Sequence, residues 1–174
     1  MHSEARLIRE NIELLEQGRN LLDSIADPNY CHISKPLSSS AIGGHIRHCL
    51  DFYQSFLTGI ETGRIDYDHR ERDELIQSDR RAAMAKIETT IKKLNDLNLS
   101  SCNTRLLINL EGGLESGDPA CWSWSSIRRE LQSLLSHTIH HYALIAMLVR
   151  LQGCTVPMEF GVAPSTLMQW RKTS

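Results

Sequence analysis

The sequence predicts an all-α protein, a four-helix bundle with one short strand pair between its third and fourth helices. Apolar residues recur at helical spacing in four stretches of roughly 20 to 28 residues each, and alternating strand patterns are scarce. A helix with one apolar face must bury that face against another element, so four such helices indicate a bundle. The 174 residues fit a single domain, residues 1–174, because a chain of this length buries a sizeable core without disulfides.

Composition narrows the class of partner. Hydrophobic residues make up 41% of the chain, charged residues make up 23%, and the net charge is −2. Because no basic excess is present to neutralise phosphates, neither nucleic acid nor an anionic membrane is an expected partner. The charged N-terminal segment lacks the apolar run of a signal peptide, and no stretch is apolar enough to span a membrane. A cytoplasmic protein is therefore expected.

The first helix is predicted over residues 3–26, where apolar residues keep helical spacing. It is expected to stop at Asp27-Pro28-Asn29, since proline cannot continue the helix and disfavours helix in the residue before it. Residues 30–37 are predicted to be a connector.

The second helix is predicted to run to about Gly63, with N-caps supplied by the triple serine at positions 38–40. Gly43 and Gly44 lie inside it, and each weakens a helix by about 1 kcal/mol relative to alanine. Their presence indicates that another element approaches the backbone closely there.

Residues 64–74 are dense in charge and are predicted to be a solvated linker that covers one end of the bundle. The third helix follows, from residue 75 or 78 to residue 97. Its predicted inward-facing residues are Ala82, Ile87, Ile91 and Leu94.

The connection over residues 98–118 is long for a bundle, and long connections are often functional. Residues 104–110 have the pattern of a short strand, and residues 111–119 are rich in turn formers. Residues 122–126 lead into the fourth helix, which Ser125 or Ser126 is expected to cap.

After the fourth helix, residues 154–170 are apolar enough to pack against the rest of the chain. Two uses stay open for this tail: lining the mouth of a pocket, or forming the contact of a homodimer. The five cysteines are odd in number and form no C-x-x-C pair, which argues against a disulfide framework and a structural zinc ribbon.

Three histidines interrupt the apolar pattern of the fourth helix. His137 and His141 are four residues apart, so they lie about 40° apart on one helix face. At about 100° per residue, His141 falls within the apolar face, His137 at its shoulder, and His140 roughly 60° further out. Glu130 projects inward two turns before His137, where a carboxylate could orient a ligand or simply favour the helix dipole.

Two more histidines, His45 and His48, flank the apolar face of the second helix. Facing helices of a bundle commonly supply the ligands of one metal site, and three imidazoles leave coordination positions open for water or substrate. The alternative is that these are unrelated core and surface histidines. The H-x-x-x-H spacing alone is weak support, and the absence of H-E-x-x-H argues against a zincin protease.

Two segments resemble the paired signatures of the DinB/YfiT-like metalloproteins: Ile42-Gly-Gly-His-Ile-Arg-His-Cys-Leu-Asp-Phe52 and Ser136-His-Thr-Ile-His-His-Tyr142. The resemblance implies an up-down-down-up bundle that binds a divalent metal, usually zinc or nickel, through three histidines. Relatives often follow the last histidine with Arg-Gly-Gln, whereas Tyr142 follows it in this chain.

The resemblance assigns the ligands to His48, His137 and His141. The helical count differs from it at one position, since His45 lies nearer than His48 to the middle of the second helix's apolar face. His45 is therefore kept as the substitute for His48.

The favoured hypothesis is a metal-dependent enzyme of the thiol S-transferase or hydrolase type, in which the metal activates a small thiol or water. Glu130 and His140 would then orient a ligand or act as acid and base. The alternative is a non-catalytic, stress-linked binding module with a structural or vestigial metal. Iron stays open beside zinc and nickel, because histidine triads also bind iron. The expected partner is a small molecule, with a low-molecular-weight thiol as the first candidate.

Overall fold

A computed structural model of the protein describes residues 2–35, 38–97, 105–110 and 121–173, which are mostly helical. In chain order the helices are α1 (His2–Ser24), α2 (Asp27–Cys31), α3 (Ile42–Thr62), α4 (Glu74–Ser78), α5 (Arg80–Asn95), α6 (Ile127–Leu151) and α7 (Pro164–Thr173). The long helices α1 and α3 each contact both α5 and α6. This packing sets α3 beside α6, where their histidines can meet. The up-down-down-up order stays a prediction.

A small sheet corrects the all-α prediction. Its strands are β1 (Arg64–Asp66), β2 (Arg105–Asn109) and β3 (Trp122–Ser126). They lie in the order β1-β2-β3, with β1 parallel to β2 and β2 antiparallel to β3. The predicted strand over residues 104–110 is confirmed as β2. The predicted solvated linker was wrong at β1, which pairs along its whole length with β2.

The sheet buries one face and exposes the other. Ile65 of β1 pairs with Ile108 of β2, and both are buried with Leu106. On the opposite face Trp124 is 63% exposed, and the guanidinium of Arg105 lies over its ring. This alternation is the period of two that a half-buried strand requires. In a strand as short as β1, that period cannot be read from the sequence.

The ends of α3 show which local signals decide a helix boundary. Its N-cap is Ala41, which makes no side-chain cap, so the predicted serine caps were wrong. The hydroxyl of Ser38 instead donates a hydrogen bond to the backbone oxygen of Ser40. At the other end Gly63 adopts a left-handed φ of 76°, which confirms the predicted stop. The predicted close approach is also confirmed, because a Cβ on Gly43 would lie 2.0 Å from the backbone oxygen of Gln77.

Two further boundaries differ from the predictions. Pro28 lies in the first turn of α2, so a short helix begins at the predicted stop of the first helix, as proline's fixed φ allows. The predicted third helix is divided into α4 and α5 at Asp79, whose side chain accepts hydrogen bonds from the backbone of Arg81 and Ala82. The residues that α5 buries are Ala83, Ile87, Thr90 and Leu94.

The start of α6 agrees with the prediction, since the Ser126 side chain accepts a hydrogen bond from the backbone N–H of Arg129. The predicted turn-rich residues 111–119, together with Cys102, lie outside the described residues. Within the described ranges no disulfide forms. No helix in those ranges combines the length and apolarity that a membrane crossing needs.

Candidate metal centre

Three histidine rings from α3 and α6 converge on one point. Nε2 of His137 lies 3.1 Å from Nε2 of His48 and 3.1 Å from Nε2 of His141. One ring nitrogen from each of the three lies within 4.8 Å of the others. Because His48 comes from α3 and the other two come from α6, packing of these helices brings together residues that the sequence separates widely.

The three rings are neutral at physiological pH. Burial, reinforced by neighbouring positive charge, lowers the pKa of His48, His137 and His141 to about 4 each. A neutral imidazole carries a single N–H and one lone pair. Three facing ring nitrogens therefore cannot all be satisfied by one another, whereas a cation at their centre would accept a lone pair from each.

The spacing of these nitrogens also suits a metal ion. Nitrogens bound to four-coordinate zinc at about 2.0–2.1 Å are about 3.3 Å apart, and the nitrogens of His48 and His137 are 3.1 Å apart. Imidazole binds zinc, nickel, copper and iron alike. The donor set therefore fits a divalent metal without selecting which one.

His45 lies beside the triad rather than in it. Its Nδ1 is 3.0 Å from Nδ1 of His141, so it contacts the nitrogen of His141 that points away from the other two rings. A histidine that binds metal through one nitrogen is usually held in orientation through the other. His45 occupies the place of that orienting partner for His141. The corresponding Nδ1 of His137 is buried, and the described residues offer it no hydrogen-bond partner.

A mainly apolar cavity of about 650 Å³ adjoins His45. Its walls come from α6 and from the segment before α3, and its lining includes Ser38, Leu144, Met147, Leu148 and Leu151. The volume lies in the range of small-molecule sites. His45 thus borders this cavity and also contacts the ring of His141.

Aromatic rings also pack against the triad. The Phe52 ring centroid lies 4.2 Å from that of His137 and 5.0 Å from that of His48. Tyr67 stacks on Phe52 at 4.9 Å, and the Arg70 guanidinium carbon lies 4.4 Å from the Phe52 centroid. This apolar cover explains much of the burial of the histidine nitrogens.

The sequence analysis did not identify Phe52, Tyr67 or Arg70 as part of the site. For Phe52 a signal existed, because it lies four residues after His48 and so on the same helix face. Tyr67 and Arg70 fall in the segment predicted to be solvated, where charge density hid the buried tyrosine.

Glu130 faces inward as predicted, and it is 6% exposed. Its carboxylate accepts hydrogen bonds from the Tyr67 hydroxyl at 2.9 Å and from the Ser125 hydroxyl. No hydrogen bond within the described ranges joins it to the triad. It reaches the site through Tyr67, which stacks on Phe52.

His140 is exposed, and its ring centroid lies 5.3 Å from that of His141. His141 lies on the face predicted for it, at helical spacing from buried Ile145 and Leu148, and its ring is half-buried. Thr138 and Tyr142, each one position beyond a triad histidine, are more deeply buried. The helical count missed these two because a threonine and a tyrosine were not counted as core.

Comparisons with known proteins address the fold. No family model matches the chain. The chain is 30% identical over 164 residues to FK506-binding protein 5 of Rhizopus delemar; the match covers 92% of this chain and 37% of that protein. The chain thus spans little more than a third of the length of this curated relative.

Among solved structures the chain is similar to the crystal structure of a DinB-like protein, YjoA, from Bacillus subtilis. The TM-score is 0.64, the identity is 18%, and the similarity covers 89% of this chain and 98% of that chain. This likeness confirms, at the level of fold, the resemblance that the two histidine segments indicate. The chain therefore has a DinB-like fold, within which three histidines are placed so that they could bind a metal ion.

Proposed function

We propose that the protein is a metal-dependent enzyme that binds a divalent ion through Nε2 of His48, His137 and His141. The observation that carries the proposal is the convergence of three neutral imidazoles within a DinB-like fold. When bound, the ion acts as a Lewis acid that lowers the pKa of water or a small thiol at its open positions. Zinc or nickel is the proposed ion, and iron is the third candidate. The proposed reaction is thiol S-transfer or hydrolysis.

The chain's own residues would orient the ligands and shield the site. His45 holds the ring of His141 through its Nδ1, and Phe52 covers His137. The cavity beside His45 offers a place for the apolar part of a substrate. His140, exposed beside His141, is the proposed proton carrier between the site and solvent, and Glu130 fixes Tyr67.

The proposal includes a small-molecule substrate, a cytoplasmic location and an up-down-down-up arrangement of the long helices. A homodimer belongs to it as well. The curated relative is named for FK506 binding, and only 37% of its length is matched. The triad, rather than that name, therefore supports the function proposed for this chain.

A second candidate function is a binding module whose metal is structural. It is favoured by one observation, that the chain matches part of a much longer protein, as a module of a larger assembly would. The two candidates differ at the open coordination positions. An enzyme must admit a ligand there, whereas a structural site is closed.

The test begins with protein purified without chelator, whose metal content is measured by elemental analysis. We expect one divalent ion per chain, lost in His48→Ala, His137→Ala and His141→Ala and retained in the control His32→Ala, which changes an exposed histidine. Loading with cobalt(II) then gives a visible spectrum that should shift when a small thiol is added. Metal without any ligand-induced shift would favour the module, and a protein that takes up no divalent metal would refute both candidates.

A further inference from the structure

We propose that Arg70 recognises an anionic group, a carboxylate, on the ligand that the metal site accepts. The inference rests on the proposed function, because the other end of that ligand would lie at the histidine triad. Arg70 belongs to the segment between β1 and α4. It would act as a specificity-determining residue and not as a metal ligand.

The position of Arg70 supports this role. Its guanidinium carbon lies 4.4 Å from the centroid of Phe52, and the same ring lies 4.2 Å from the ring of His137. One aromatic ring therefore separates the cation from the triad. Nη1 of Arg70 donates a hydrogen bond to the backbone oxygen of Tyr67, which holds the side chain against this cover.

The charge of Arg70 acts on the triad. Burial is the largest cause of the lowered pKa of His48 and of His137, and the positive charge of Arg70 lowers both pKa values further. An arginine stays protonated in a protein even where burial lowers its pKa, as it does for Arg70. The triad and its ligand are thus within the field of a permanent cation.

The protein satisfies the guanidinium only in part, through the hydrogen bond from Nη1 to Tyr67. None of the ion pairs in the described ranges includes Arg70, and its Nε is buried without a hydrogen-bond partner. Asp51 is the acidic side chain with the largest effect on it, but that carboxylate is held by Arg47 at 2.9 Å. Leaving a buried charged donor unpaired is costly. A carboxylate has the geometry to pair with the planar guanidinium.

The local balance of charge points to an anion. The charges that act on Arg70 are those of two arginines, Arg47 and Arg72, and of two carboxylates, Asp51 and Asp68, so with Arg70 itself the group carries one positive charge in excess. The triad histidines contribute no charge. A divalent ion at the triad would increase the positive excess. Attraction for an anion is stronger in such a partly buried site than in water. The competing interpretation is that Arg70 only packs on Phe52 as a cation–π pair.

The experiment compares two ligands of nearly equal shape and different charge, 3-mercaptopropanoate and 3-mercaptopropanamide, on the metal-loaded protein. Calorimetry should give tighter binding of the carboxylate to the wild type. Arg70→Met keeps an apolar stem against Phe52 and removes the charge, so it should weaken carboxylate binding about tenfold or more and leave amide binding within about twofold. Arg72→Met, which removes an exposed cation of the same segment, should change neither.

Arg70→Lys keeps the charge and removes the planar fork, and it serves if the methionine variant fails to fold. It should weaken carboxylate binding severalfold with the amide unchanged. Equal weakening of both ligands, or no preference for the carboxylate in the wild type, would overturn the role of Arg70 while leaving the metal site intact. Absence of bound metal in the wild type would instead refute the proposed function itself. Metal content measured on every variant keeps these two failures apart.

Discussion

Two polar clusters lie against α6, and they differ in whether the protein satisfies them. In the first, the Tyr53 hydroxyl donates to Oδ1 of Asn11 at 2.7 Å and accepts from the Thr138 hydroxyl at 3.4 Å. The Asn11 amide donates to the backbone oxygens of Leu7 and Leu131. The side chains of this network are fully buried, and each of them has a hydrogen-bond partner within the protein.

The second cluster is the histidine triad, which is half-buried and lacks that complementarity. Its ring nitrogens face one another at 3.1 Å, and Nδ1 of His137 has no partner among the described residues. The two clusters are adjacent on α6, since Thr138 follows His137 directly. A network that satisfies itself belongs to the fold, whereas lone pairs without donors indicate a site for a cation from outside.

The largest effect that separates the clusters is expected from His137→Ala. The substitution removes Nε2 of His137, which lies 3.1 Å from Nε2 of both other triad histidines. The variant should bind no stoichiometric metal, or bind it more than about a hundredfold more weakly, which exceeds the loss expected for a residue that only orients a ligand. Competition with a chelating dye measures the affinity. Unchanged metal content in this variant would contradict the assignment of the triad.

Tyr53→Phe tests the other cluster. Without the hydroxyl, Oδ1 of Asn11 loses its donor and the Thr138 hydroxyl loses its acceptor, both in full burial, so the free energy of unfolding should fall by about 1–3 kcal/mol. Urea denaturation of the metal-free protein measures this loss. The metal content of the variant, purified without chelator, should stay as in the wild type. A variant that still folds but no longer binds metal would show that the two clusters are not separate.

His45→Ala sharpens the boundary of the triad. Because His45 contacts only the outer nitrogen of His141, its loss should weaken metal binding about 10–100-fold without removing the site. His48→Ala is the matched comparison, since it removes a histidine three positions along the same helix. If His45→Ala eliminated the metal while His48→Ala retained it, the two residues would have to exchange roles.

The smallest effect is expected from His140→Ala. The side chain is exposed and touches the triad only through the edge of His141, so metal affinity should change by no more than about twofold. The same dye competition provides the measurement. A loss as large as that of His137→Ala would mean that His140 binds the ion directly.

The sequence predicted the long helices and the meeting of His137 with His141, because both depend on a period that a single helix carries. The choice between His45 and His48 could not be made that way. Two histidines three positions apart share one helix face, and which of them meets α6 depends on how α3 is rotated against it. Helical counting favoured His45, the resemblance favoured His48, and the structure brings His48 to the triad.

The parts that could not be predicted depend on contacts between distant residues. β1 is three residues long and is ordered by pairing with β2, where Arg64 lies opposite Leu107. Tyr67 is buried because it follows that strand, and its hydroxyl then meets Glu130 of α6. A short polar segment carries no periodicity that would indicate such a partner, so its charge density was interpreted as solvation.

Tyr67 contacts three parts of the molecule: α3, α6 and the segment between β1 and α4. Its ring stacks on Phe52 of α3, its hydroxyl binds Glu130 at the start of α6, and its backbone oxygen accepts from Arg70. Any free energy that a ligand contributes by ordering Arg70 is therefore shared with the docking of the sheet on the helices. Such linkage is reciprocal, so a substitution that loosens the sheet far from the triad should also lower affinity for the ligand.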